Sequence, residues 1–245
     1  MRPVKKGLSP INGDFSKYED AKQDLVSRLG RYCSYCERKI ATLLAVEHIE
    51  PKKGAHGQPH LEKRWSNFLL ACTNCNSCKG DKAVDLSQTL FPDRDNTFYA
   101  YVYEADGNIA LASHLSFTQK RMAQNTLALV GLDKPLQVYL DSNGEQVALD
   151  RVGQRMEMFG IARAALSLLQ LQPENQVLMT SITSNAIANG FFSIWMTVFK
   201  DYPEMTLKFI QAFKGTEGSG CFNMMTCTVC CPSPNPDGLS HGGKV

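Results

Sequence analysis

Two C-x2-C pairs, Cys33/Cys36 and Cys72/Cys75, bracket an adjacent carboxylate and imidazole, Glu47-His48, and an amide, Asn67; a second amide, Asn76, directly follows the last cysteine. Paired cysteines at this spacing can supply four thiolates to one tetrahedral zinc, as structural sites do. The plainer alternatives are unrelated buried thiols or a redox pair. Between the pairs stand oxygen and imidazole groups of the kind used for metal-assisted hydrolysis. The expectation is that zinc staples the stretch and that Glu47, His48, Asn67 and Asn76 form its working set. Cys78 is a nearby spare thiol, expected to pack rather than to ligate. His56 and His60 fall in a polar loop and His114 in a later hairpin, where exposure is the ordinary state of a histidine.

These groups need elements to hold them. Tyr18, Ala21, Leu25, Val26 and Leu29 form an apolar stripe, which predicts a helix over residues 17–29. Ser16 and Glu19 are a candidate capping box for it, and Gly30 a stop. Residues 31–39 read as a knuckle and 40–46 as a short strand ending at Glu47-His48-Ile49. Adjacent strand residues point to opposite faces, so Glu47 and His48 serve one site only if the chain kinks near Pro51. Residues 65–70 return as a second extended piece carrying Asn67. Residues 71–75 form the second knuckle, and a helix is expected from Asn76 to Val84. The fold class is therefore α+β, a metal-stapled ββα unit followed by a hairpin and a mostly helical region.

The string Cys33-x2-Cys36, Val46-Glu47-His48-Ile49-x-Pro51, Trp65-x-Asn67-x4-Cys72-x2-Cys75-Asn76-x2-Lys79-Gly80 resembles the HNH nuclease motif in its zinc-containing form. The resemblance covers about a fifth of the chain. It implies a phosphodiester-cutting ββα-metal unit. Glu47 stands where many members have Asp, and Asn76 where the last His often lies. Both retain an oxygen ligand, and together they would hold one hard cation, Mg2+ or Mn2+. Neutral His48 would take a proton from the attacking water. Asn67 would brace the loop and orient the His48 ring. Lys79 and Lys82 would contact phosphate, and simple solvation is the plainer reading of both. A softer likeness involves Leu29–Glu37 and the linker Phe91-Pro92-Asp93-Arg94-Asp95-Asn96. They resemble the HNH subunit of Septu-type and retron-linked anti-phage systems. That likeness implies an ATPase partner and an antiviral role.

After Asp85 the chain changes character. The expected organisation is an arm (1–16), a zinc-containing HNH nuclease domain (17–90), and a linker, β-hairpin and helix (91–150). A helical region that could dock a partner (151–213) and a Cys/Gly/Pro-rich, loosely ordered tail (214–245) complete it. The hairpin turns at Asp106-Gly107 between residues 97–104 and 109–114. A helix capped by Ser116 and ended by Gly131 should follow it. Cys221, Cys227, Cys230 and Cys231, with His241, could bind a further metal, but their spacing defines no geometry.

Charge is uneven: residues 1–85 carry a net +5 and the remainder −3. A basic nuclease half suits a nucleic-acid polyanion, DNA being the first expectation. The start leads into polar sequence, and the longest apolar run, near 191–199, is far short of a membrane span. A cytoplasmic protein without membrane contact is expected, its cysteines thiols or ligands rather than disulfides. The competing reading is a catalytically silent, zinc-bearing adaptor for nucleic acid or protein.

Overall fold

A computed structural model describes residues 1–140, 142–143 and 146–245, so the 91–150 segment includes three positions outside the described residues. A 3-10 turn, Tyr18–Ala21, runs into α1 (Lys22–Leu29), which ends at Gly30 with φ of 78°. Ala21, Leu25 and Leu29 face inward as the stripe requires. The anticipated Ser16 cap is not used, because the 3-10 turn leads the chain in without a side-chain cap.

Strands β1 (Ala45–His48) and β2 (Phe68–Ala71) pair antiparallel, with Glu47 opposite Leu69 and His48 opposite Phe68. All four residues of β2 are buried, as an apolar Phe-Leu-Leu-Ala run demands. Helix α2 (Thr73–Lys79) starts earlier than expected, inside the second cysteine hook. The Cys72 thiol is its cap and accepts the Cys75 amide N–H at 3.4 Å. The helix closes at Gly80, φ 53°, instead of continuing to Val84. The order β1, β2, α2 is the expected ββα unit.

Helix α3 (Thr97–Ala100) replaces the first half of an expected strand, since the Asn96 side chain caps it through the Tyr99 amide. Strands β3 (Tyr101–Tyr103) and β4 (Ile109–Leu111) form the anticipated hairpin. Helix α4 (Phe117–Val130) carries a complete Ser116–Gln119 capping box and stops at Gly131. A further hairpin that the sequence reading missed, β5 (Val138–Leu140) with β6 (Gln146–Leu149), precedes the helices. These are α5 (Arg151–Leu171), α6 (Gln176–Asn189), α7 (Phe192–Val198) and α8 (Pro203–Ala212). Their core is largely aromatic: Phe192, Trp195, Phe199, Phe209 and Phe213 are all buried.

Both ends of the chain correct the expectation. The first residues are not a free arm: Met1, Val4, Lys6 and Phe15 are buried, and the Val4 amide donates to Pro92 O at 2.7 Å. The tail is not loose either. It folds into a small hairpin bridged at Phe222 and Val229, and Val245 returns to bond Asn96 and Ser233 through its carbonyl.

The helical region and the first knuckle share one interior. The buried Glu37 carboxylate accepts from the Ser193 amide at 2.8 Å and the Ser193 hydroxyl at 2.5 Å, and pairs with the Met1 amino group at 3.3 Å.

Candidate active site

The site is built at the exit of β1. Strand alternation sends Val46 and His48 toward a cleft of about 450 Å³ whose walls include Tyr18, Lys52, Asn76 and Asp81. Glu47 points the other way, into the protein. Its Oε2 accepts from the Tyr35 hydroxyl at 2.7 Å, and its Oε1 lies 2.9 Å from the Lys79 ammonium. The strand stays paired through His48, so the kink contemplated from sequence does not occur within β1.

The His48 ring has a defined tautomer. Nε2 lies 2.8 Å from the backbone oxygen of Glu62, and a carbonyl can only accept, so Nε2 carries the proton. Nδ1 is then the basic nitrogen of a side chain that lines the cleft. Tyr18 meets the ring edge-on at 4.8 Å and Phe68 at 5.3 Å. Burial holds the imidazole below its ordinary protonation range, assisted by Lys52 and Lys79; the Glu62 bond and Glu47 act in the opposite direction.

Asn67 does not touch the ring. Its Nδ2 donates to the carbonyls of Glu50 and Leu61 at 2.9 and 3.3 Å, and its Oδ1 accepts from the Glu50 amide at 2.8 Å. It clamps the turn that follows His48, while the Glu62 carbonyl orients the imidazole. Asn76 lies half-buried on α2 and lines the cleft opposite His48. Lys79 is buried, and besides Glu47 it donates to the His48 carbonyl at 2.6 Å, so its ammonium is turned inward. Lys82 reaches Leu129 O at 3.3 Å and borders a different hollow. His56 and His60 are exposed, and His114 bonds Tyr99 O at 3.0 Å.

The four cysteines converge. The Sγ atoms of Cys33, Cys36, Cys72 and Cys75 all lie within 4.8 Å of one another, with Cys36 and Cys72 at 3.7 Å. Tetrahedral coordination at a zinc–sulfur distance of about 2.3 Å would set sulfurs about 3.8 Å apart. Hydrogen bonding among the sulfurs pulls Cys72 far below the usual thiol range and pushes Cys36 and Cys75 well above it. Four thiolates cannot share this space without a cation. Arg151 Nη1 donates to Cys75 Sγ at 3.6 Å and Arg38 faces Cys72, which suits a site of net negative charge. The tail thiols do not gather in this way: among the described residues only these four form such a group.

For a hard cation the donor types fit but their placement does not. Asn76 lines the cleft, whereas the Glu47 carboxylate is buried on the other side of β1, held by the Tyr35 hydroxyl at 2.7 Å and the Lys79 ammonium at 2.9 Å. Glu47 could join Asn76 in the all-oxygen chemistry that Mg2+ or Mn2+ takes only by giving up Lys79.

The profile of the HNH endonuclease family matches residues 33–82, which span this cleft and the cysteine cluster. A Vibrio cholerae serotype O1 biovar El Tor protein, assigned as the HNH endonuclease of retron Vc95, is 31% identical over 141 residues. The alignment takes in 53% of this chain and 68% of that relative. The chain belongs to the HNH endonucleases. The HNH unit thus occupies β1, β2 and α2, and the rest of the nuclease wraps it. Sequence reasoning passed over three residues that surround His48. Tyr18 looked like core. Lys52 followed Pro51 in a polar loop without a distinguishing pattern. Glu62 acts on His48 through a backbone atom that no side-chain pattern reveals. No described helix is long and apolar enough to cross a membrane.

Proposed function

We propose that this nuclease is the DNA-cutting effector of a retron-linked, Septu-type anti-phage system restrained or licensed by an ATPase partner. The observation that carries the hydrolytic part is the His48 imidazole, with Nε2 committed to Glu62 O and Nδ1 left as the base in the cleft. His48 Nδ1 takes the proton from the attacking water. Asn76, and Glu47 once its carboxylate leaves Lys79, would hold a divalent cation, Mg2+ or Mn2+. When bound, that ion supplies charge neutralisation for the phosphate and the departing oxygen. Asn67 keeps the turn after His48 rigid, and the four cysteines hold a structural zinc that sets β1 against α2. The retron assignment of the Vibrio relative supports the defence role. Exposed Leu168, Leu171 and Val177 on α5 and α6 support a docking role for the helical region.

The test is plasmid nicking with Mg2+ and with EDTA, comparing wild type and His48→Ala. The expected result is metal-dependent nicking, slowed by roughly a hundredfold or more in the variant. A wild type that leaves DNA intact, even with the ATPase and its trigger present, would sink the nuclease reading and favour the silent adaptor.

A further inference from the structure

Three lysines line the cleft: Lys52, Lys53 and Lys79. Lys79 is committed inward to Glu47 and the His48 carbonyl. Lys53 is exposed, with no partner among the described residues fixing its ammonium. Lys52 differs from both. Its ammonium stands 3.4 Å from the centroid of the Tyr18 ring and 3.2 Å from Glu62 Oε1. Tyr18 and Glu62 also help to hold the His48 imidazole, one by ring contact and one by its carbonyl. The same pair therefore sets the position of a cation and of a base.

Resting on the nuclease reading of this cleft, we infer that Lys52 is its phosphate-binding cation, holding a phosphodiester oxygen beside His48. An ammonium has three donors. The ring face accepts charge without consuming a directed hydrogen bond, and Glu62 takes one donor. The Glu62 carboxylate is 40% exposed and the Lys52 side chain 22%, so their pair is screened and costs little to loosen when an anion arrives. The loop is held in advance. Pro51 is buried, its carbonyl accepts from the Gln58 amide at 2.6 Å, and Gly54 lies against Asp81 of the α2 exit. Such a fixed point charge gives affinity for the backbone of the strand without reading its bases.

The test uses full-length Lys52→Gln and Lys52→Arg, with Lys200→Gln on the helical region as an equal change of charge. Binding of a fluorescently labelled DNA duplex is followed by anisotropy in EDTA across a salt series, and nicking kinetics are measured with Mg2+. Lys52→Gln should weaken binding roughly tenfold, the scale of one charge-assisted hydrogen bond. It should lower the salt slope by about one. KM should rise by a similar factor with kcat less affected. Lys52→Arg should recover most of the affinity, and Lys200→Gln should lose none. The inference is overturned if the wild type does not bind, or if Lys52→Gln binds with wild-type affinity and slope. It is equally overturned if kcat alone falls, because that outcome leaves Lys52 only as packing beside His48. A duplex bound but never cut would count against the nuclease reading alone, since the binding comparison needs no cleavage.

Discussion

At the scale of single residues, the imidazole of His48 can serve as the proposed base only while neutral, and its surroundings favour that state. Burial opposes the imidazolium most, and Lys52 and Lys79 add to the effect. The shift is downward, so the base is still unprotonated at acidities where an ordinary histidine has gained its proton. The acid limb of the nicking rate should therefore lie below pH 6.5, the unshifted value. Single-turnover rates against pH check this, and a limb centred at or above that value would contradict it. The order and spacing of His48, Asn67 and Asn76 named the residues that the fold sets on the cleft and on the turn behind it, His48 and Asn76 in the first place and Asn67 in the second. The partner of the ring was not. Asn67 was expected to orient it, whereas a main-chain oxygen of Glu62 does so, and backbone carbonyls carry no sequence signature.

At the scale of elements, the ββα order was readable from two cysteine hooks and two short apolar runs, while its boundaries were not. Helix α2 begins just after Cys72 because a thiol can cap a helix, a role that composition alone assigns to Ser, Thr, Asp or Asn. The hairpin β5–β6 was passed over although Asn143-Gly144, a hairpin signal, stands between its strands in the sequence. The loop after β1 offers a sharper test of how elements cooperate. Gly54 has φ of 88°, and a Cβ there would fall 2.1 Å from Asp81 Oδ2 and 2.7 Å from its Cβ. Rotating the carboxylate removes only the first of these clashes, and the left-handed backbone alone costs an L-residue roughly 1–2 kcal/mol. Gly54→Ala should lift the loop from α2 and carry Lys52 with it. The melting temperature should fall by only a few degrees, as that cost implies for a chain of this size, whereas nicking should fall by about tenfold to a hundredfold. Wild-type nicking in Gly54→Ala would show that the loop's seat against Asp81 is immaterial.

At the scale of the whole molecule, the nuclease unit does not stand apart from the chain around it. The N-terminal segment, β2, the 91–96 linker and the tail meet in a buried charge network behind His48. Lys6 Nζ pairs with Asp93 Oδ2 at 2.7 Å and donates to the carbonyls of Ser66 and Phe68 at 3.0 and 2.9 Å. Phe68 is the strand partner of His48, so this lysine supports the site from the side opposite the cleft. Asp93 also takes Arg94 Nε at 3.0 Å, and Arg94 bonds the Ser240 carbonyl of the tail. Burial alone would raise the Asp93 pKa, but Arg94 and Lys6 outweigh it and bring it down to about 2. A carboxyl with a depressed folded-state pKa stabilises the fold fully above its unfolded value. That contribution drains away as pH falls through the folded one. For Asp93 the window runs from 3.8 down to about 2 and is worth about 2 kcal/mol at its top. Replacing the carboxylate leaves the Lys6 ammonium buried without its ion-pair partner, Asp237 being a weaker influence on it, a change that typically costs about 3–5 kcal/mol. Asp93→Asn should therefore lower the urea midpoint at neutral pH by that amount of free energy. It should also flatten the acid dependence of unfolding within the window. If Asp93→Asn unfolds at the wild-type midpoint and keeps the wild-type acid slope, the network is not what binds the two ends of the chain to the strand that carries the site.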